Sequence, residues 1–112
     1  MSSFVNALPM AEIAEFCRRW KILELAVFGS TLRNDFTPSS DVDILIAFSA
    51  DADWGLLDHV RMKQELQSLL GRDVDLITRR ALESSANWLL RNEILKTAKT
   101  VLSVPEEAYA AR

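Results

Sequence analysis

The chain has 112 residues, of which 49% are hydrophobic and 26% charged, and it carries a net charge of −3. That length fits one domain, residues 1–112, with a real core and no room for a second, and the composition is ordinary for a soluble globular protein. The acidic balance excludes a whole-molecule basic field that would recruit nucleic acid, and no direct binding of nucleic acid is expected.

Local basic clusters at Arg18-Arg19 and at Arg72, Arg79 and Arg80 read as a solvated basic face, although Arg79 and Arg80 could also reach a triphosphate or an acidic partner. The single cysteine, Cys17, excludes an intramolecular disulfide and reads as a buried structural thiol. No apolar stretch approaches the roughly 20 residues of a spanning helix, and the start, Met1-Ser2-Ser3-Phe4, lacks the features of a secretion signal. The expectation is a cytoplasmic protein with no membrane partner.

In chain order, Pro9 suits a helix start, and Met10, Ile13, Ala14, Cys17 and Trp20 recur at helical spacing to about Lys21. Residues 22–28 read as a strand that ends at Gly29. Ser30 is placed to cap a short helix through Asn34, and residues 35–40, with Pro38, Ser39 and Ser40, form a loop. A second strand runs from Asp41 to Phe48. Asp53 is placed to cap a long helix to Leu70, its apolar face built from Leu56, Val60, Met62, Leu66, Leu69 and Leu70, with Gly71 as its stop.

Residues 72–78 read as a third strand. A final helix is expected from about Leu82 to Leu102, burying Trp88, Leu89, Ile94, Leu95, Ala98 and Val101, and Pro105 ends it. The tail that follows, with Tyr109, is expected to be mobile. His59 reads as a surface or packing residue, and Trp20, Trp54 and Trp88 as helix-to-sheet packing, with Trp54 a candidate partner or nucleobase contact. The order implies an α/β (α+β) domain whose small mixed sheet is flanked by helices.

The chemistry concentrates between residues 29 and 75. Side chains alternate along a strand, so Asp41, Asp43 and Leu45 share one face while Val42, Ile44 and Ile46 pack on the other. If the third strand neighbours the second, Asp75 approaches that pair. Three carboxylates together repel one another and favour protonation unless a cation neutralises them. Magnesium takes oxygen ligands and usually combines carboxylates with substrate phosphates. Two such ions can clamp the attacking and leaving oxygens of an in-line displacement. Gly29 lets the backbone approach a phosphate, the Ser30 hydroxyl can add a hydrogen bond, and Arg33, three residues on and on the same face of the short helix as Ser30, can balance triphosphate charge. Singly, a Gly-Ser turn or an Asp-x-Asp pair is in most proteins a plain turn or a solvated strand edge. Their joint spacing and strand context favour chemistry.

Gly29-Ser30, Arg33 and Ser40-Asp41-Val42-Asp43 resemble the signature of the polymerase-β-type nucleotidyltransferase superfamily, and Gly71-Arg72-Asp73-Val74-Asp75-Leu76-Ile77-Thr78 is similar to a segment of its minimal members, the MNT domain proteins. The resemblance runs from about Leu25 to Val101. It implies the polymerase-β-like fold, magnesium (two ions) and a nucleoside triphosphate donor, ATP. It also implies that Asp41 and Asp43 hold metal, that Asp75 is the third carboxylate and helps activate the acceptor hydroxyl, and that Gly29, Ser30, Arg33 and Ser40 lie on the nucleotide side. Many minimal members operate beside a HEPN-domain RNase toxin as its antitoxin, some by transferring AMP to it and others by binding alone. Two positions depart from the pattern: Asn34 stands where glycine is frequent, and Asp73 where a basic residue is frequent.

Overall fold

In a computed structural model, residues 3–33, 36–37 and 39–110 are described, so the expectations for Asn34, Asp35 and Pro38 lie outside the described residues. Four strands, β1 (Ile22–Val27), β2 (Val42–Phe48), β3 (Val74–Thr78) and β4 (Lys99–Ser103), form one sheet in the order β3-β2-β1-β4. β1 runs antiparallel to both β2 and β4, whereas β2 and β3 are parallel. A parallel pair cannot close through a tight turn, and the chain crosses between them through the long helix α3 (Leu56–Leu70), numbered after α1 (Ser3–Asn6) and α2 (Met10–Arg19).

Each face of the sheet has its own core. Val42, Ile44 and Ile46 of β2, with Val74 and Leu76 of β3, pack with Ile13, Phe16 and Cys17 of α2 and Met62 and Leu66 of α3. Leu45 points the other way, into a smaller cluster with Ala26, Leu82 and Ile94. β1 breaks simple alternation, since Ile22, Leu25 and Val27 share the larger core. A register shift between Ile22 and Glu24 explains it, because one extra residue inverts the parity of everything beyond. Cys17 is fully buried, and burial pushes its thiol up to about 12, an inert packing group as expected.

Several boundaries differ from the sequence-based expectation. α3 begins two residues later than an Asp53 cap would place it; Gly55 is the residue before it, and Asp58 accepts the Gly55 N–H at 2.9 Å. Leu56 and Val60 are therefore solvent-exposed, and the buried face starts at Met62. Gly71 ends this helix in the left-handed region, φ 69°, as its position suggested.

The expected last helix is three elements: α4 (Arg79–Glu83), α5 (Trp88–Thr97) and the strand β4. Asn87 interrupts it by accepting the Leu90 N–H, which starts α5 afresh, and the β-branched residues Thr97, Thr100 and Val101 favour the extended chain that follows. Ile94 is buried, and Leu95 and Ala98 pack against the smaller core, but Trp88 and Leu89 remain exposed. Trp20 and Trp54 do pack, edge to face at 5.1 Å, and the Trp54 indole donates to the Trp20 carbonyl at 2.8 Å.

Nor is the tail loose where it is described. α6 (Glu107–Ala110) buries Tyr109, whose hydroxyl lies 3.1 Å from the Cys17 carbonyl and 2.9 Å from that of Ile22, its single proton shared between them. Tyr109→Phe should cost about 1–2 kcal/mol, because both carbonyls stay buried without the donor. A melting point unchanged from wild type would show that the ring alone seats the tail.

Candidate active site

The parallel pairing of β2 with β3 sets the site. Its register places Asp43 beside Asp75 and Val42 beside Val74, and the Val42 N–H donates to the Asp73 carbonyl at 2.9 Å. Because the two valines are buried in the larger core, the two aspartates emerge together on the opposite face, at the roughly 4.8 Å spacing of adjacent strands. Asp75 is exposed rather than turned inward, Asp41 is exposed just before β2, and Asp43 is half-buried between them.

Asp43 is the most restrained of the three. Gly29 to Leu32 form a single 3-10 turn, shorter than the expected helix, and Ser30 caps nothing in it. Instead the Ser30 N–H and O–H both donate to Asp43 Oδ2, at 3.2 and 3.0 Å. Gly29 has φ +59°, and a Cβ at this position would lie 2.7 Å from the same oxygen. The glycine is therefore required first by the protein's own carboxylate.

Burial raises the Asp43 carboxyl above its ordinary value, the two Ser30 hydrogen bonds oppose this, and the charges of Asp75 and Asp41 raise it further. Asp43 thus feels the charges of both Asp75 and Asp41.

The remaining expected residues lie around these acids. Arg33 is exposed and follows the turn in extended backbone, so it does not share a helical face with Ser30. Ser40 Oγ accepts the Thr37 N–H and lies 3.0 Å from Thr37 Oγ1, closing its own turn ahead of Asp41. Arg72 secures that approach: its guanidinium lies 4.4 Å from the Phe36 ring centre and 4.8 Å from that of Phe4, and it donates to the Thr37 carbonyl. Arg79 opens α4 and pairs with Glu24 and Glu83. Sequence reasoning missed Thr31, fully buried, whose Oγ1 accepts the Asp43 N–H at 2.8 Å; a lone threonine in a turn gives no signal of so distant a partner.

A family model described as the nucleotidyltransferase domain matches residues 10–101. The chain belongs to that family. A predicted protein adenylyltransferase of Methanocaldococcus jannaschii is 42% identical over 77 residues, 69% of this chain and 76% of the relative. Protein adenylyltransferase MntA of Thermococcus cleftensis is 31% identical over 91 residues, 81% of this chain and 90% of the relative. Among solved structures, a toxin–antitoxin complex with AMP-PNP aligns with TM-score 0.67 at 24% identity, over 89% of this chain and 77% of that one. A complex of tri-AMPylated Shewanella oneidensis HEPN toxin with MNT antitoxin aligns with TM-score 0.59 at 23% identity, over 88% and 72%. These two likenesses bear on the fold, a mixed sheet flanked by helices.

In this nucleotidyltransferase domain the acids do not form a ready-made cage: among the described residues no three Asp, Glu, His or Cys side chains group closely enough to hold a metal by themselves. The donor set fits a different mode, in which magnesium takes one or two carboxylates and completes its shell with water and substrate phosphate. The mutual repulsion felt at Asp43 is what such a cation would relieve. A cavity of about 440 Å³ lies elsewhere, at the far ends of β2 and β3, lined by Phe48, Trp54, Thr78 and Arg79 among others. Among the described residues no helix is long and apolar enough to cross a membrane.

Proposed function

We propose that this nucleotidyltransferase moves AMP from ATP onto a protein hydroxyl, as the antitoxin of a pair whose toxin is a HEPN-family RNase. The observation that carries the reading is the pairing of Asp43 with Asp75 in parallel register, with Asp41 just upstream, on a face free of the larger core. The names of the relatives support protein adenylylation, and the two toxin–antitoxin structures of the same fold support the kind of partner.

Asp41, Asp43 and Asp75 would hold Mg²⁺, as two ions when both sites fill, and the metal when bound would neutralise charge on the triphosphate. The chain's own residues do the rest. Ser30 and Gly29 keep Asp43 aimed at the sheet face, and Gly29, Ser30, Arg33 and Ser40 lie on the nucleotide side. Exposed Asp75 orients the acceptor hydroxyl and takes its proton. The acceptor oxygen bonds to the α-phosphorus, the bond to the β-phosphate bridge breaks, and pyrophosphate leaves. One domain over residues 1–112 suffices for this, in a cytoplasmic setting.

Incubation with ATP labelled on the α-phosphate, magnesium and the protein encoded beside this one should label that partner. One observation favours a second reading, an antitoxin that works by binding alone: Leu56, Leu57, Trp88, Leu89 and Leu90 are exposed apolar side chains on two helices. Suppression of the partner toxin without nucleotide and without label would favour it and overturn the transfer reading.

A further inference from the structure

The antiparallel ladder between β1 and β2 changes its bonding where the site begins. Phe28 N–H donates to the Asp43 carbonyl at 3.1 Å, which makes these two an opposed, hydrogen-bonded pair. The reciprocal bond of a regular ladder would run from the Asp43 N–H to the Phe28 carbonyl. Thr31 takes both ends of it instead. Its own N–H donates to the Phe28 carbonyl at 3.3 Å, and its Oγ1 accepts the Asp43 N–H at 2.8 Å. The side chain doing so is fully buried, and among the described residues buried polar side chains are few.

This substitution lets β1 peel away at Gly29 without leaving the Asp43 amide unsatisfied, which burial would make costly. The opening is where the Asp43 carboxylate meets Ser30. We infer that Thr31 is a positioning residue for the transfer reaction: it replaces a rung of the ladder and fixes the backbone of Asp43, so that the carboxylate keeps its aim. The inference rests on the proposed nucleotidyl transfer, and it concerns a residue that would touch neither nucleotide nor metal.

The test compares Thr31→Val, which keeps the shape and removes the acceptor, with Thr31→Ser, which keeps the acceptor. Amide hydrogen exchange read by NMR on the full chain, without nucleotide or metal, is the first readout. The Asp43 amide should be protected in wild type and in Thr31→Ser. In Thr31→Val it should exchange about tenfold faster, while the Ile44 and Ile46 amides change far less. In the transfer assay kcat for Thr31→Val should fall about 10- to 100-fold with KM for ATP little changed, as expected of a misaimed group, and Thr31→Ser should restore it.

An Asp43 amide still protected in Thr31→Val overturns the inference, as does faster exchange spread evenly along β2, the mark of general loosening. Lost protection with kcat intact also overturns it. If Thr31→Val does not fold, Thr31→Ala, whose smaller side chain admits water, carries the same comparison. A wild-type chain that transfers nothing fails the proposed function on its own, and the exchange result still decides whether Thr31 holds Asp43.

Discussion

Asp43→Asn should lower transfer to the partner about 100- to 1000-fold and, at neutral pH, raise the melting temperature by a few degrees. Asparagine keeps the shape, and its side-chain oxygen can still accept both Ser30 donors, so the lost quantity is charge. The direction of the stability change follows from the carboxyl's position above its ordinary range, caused first by burial and then by Asp75 and Asp41. A group raised in the folded state contributes its full stabilisation below the ordinary carboxylate range, where it is protonated. That contribution is lost as pH rises through the raised value, so at pH 7 the ionised group opposes folding. The gap between variant and wild type should therefore close on acidification toward pH 4. Added Mg²⁺ should raise the wild-type melting point and leave that of Asp43→Asn in place. Thermal melts at the two pH values check this, and a variant that melts below wild type at pH 7 refutes it.

Gly29→Ala should injure the same site by a steric route. Its φ of +59° costs an L-residue about 1–2 kcal/mol, and its Cβ would stand 2.7 Å from Asp43 Oδ2. The carboxylate can escape only by rotating away from Ser30. Transfer should fall about 100-fold on that account. Gly71→Ala is the matched control: φ is +69°, but nothing lies within 4 Å of the added carbon. It should lose similar stability and keep its activity. In the Gly29→Ala, Asp43→Asn double variant the two losses of activity should not add, because the residues touch and act through one carboxylate. Full additivity in kcat would mean that Gly29 serves something other than Asp43.

The parts of this site that strand periodicity controls were legible in advance. An apolar residue between two acids fixes which way both acids point, and Val74-Asp75-Leu76 repeats the device on β3, so Asp43 and Asp75 could be paired once the strands were taken as neighbours. Ser30 was legible as important but not in its task, since a serine after glycine signals a cap locally and its partner lies thirteen residues away. β4 was hidden because Leu95, Ala98 and Val101 sustain a helical rhythm across a boundary set by Asn87 and by pairing with distant β1. Tyr109 shows the same limit more sharply. Its burial depends on the carbonyls of Cys17 and Ile22, and nothing local in a short tail announces them.

The Arg72 guanidinium lies against both Phe4 and Phe36, whose rings also meet at 5.1 Å, and this cluster ties residue 4 to the stretch that delivers Asp41. Two regions far apart in sequence therefore share one cluster of packed side chains, and displacing either one takes contacts from its counterpart. A fusion or label at the amino end that draws Phe4 outward would blunt the enzyme from a distance, with every acidic group chemically untouched.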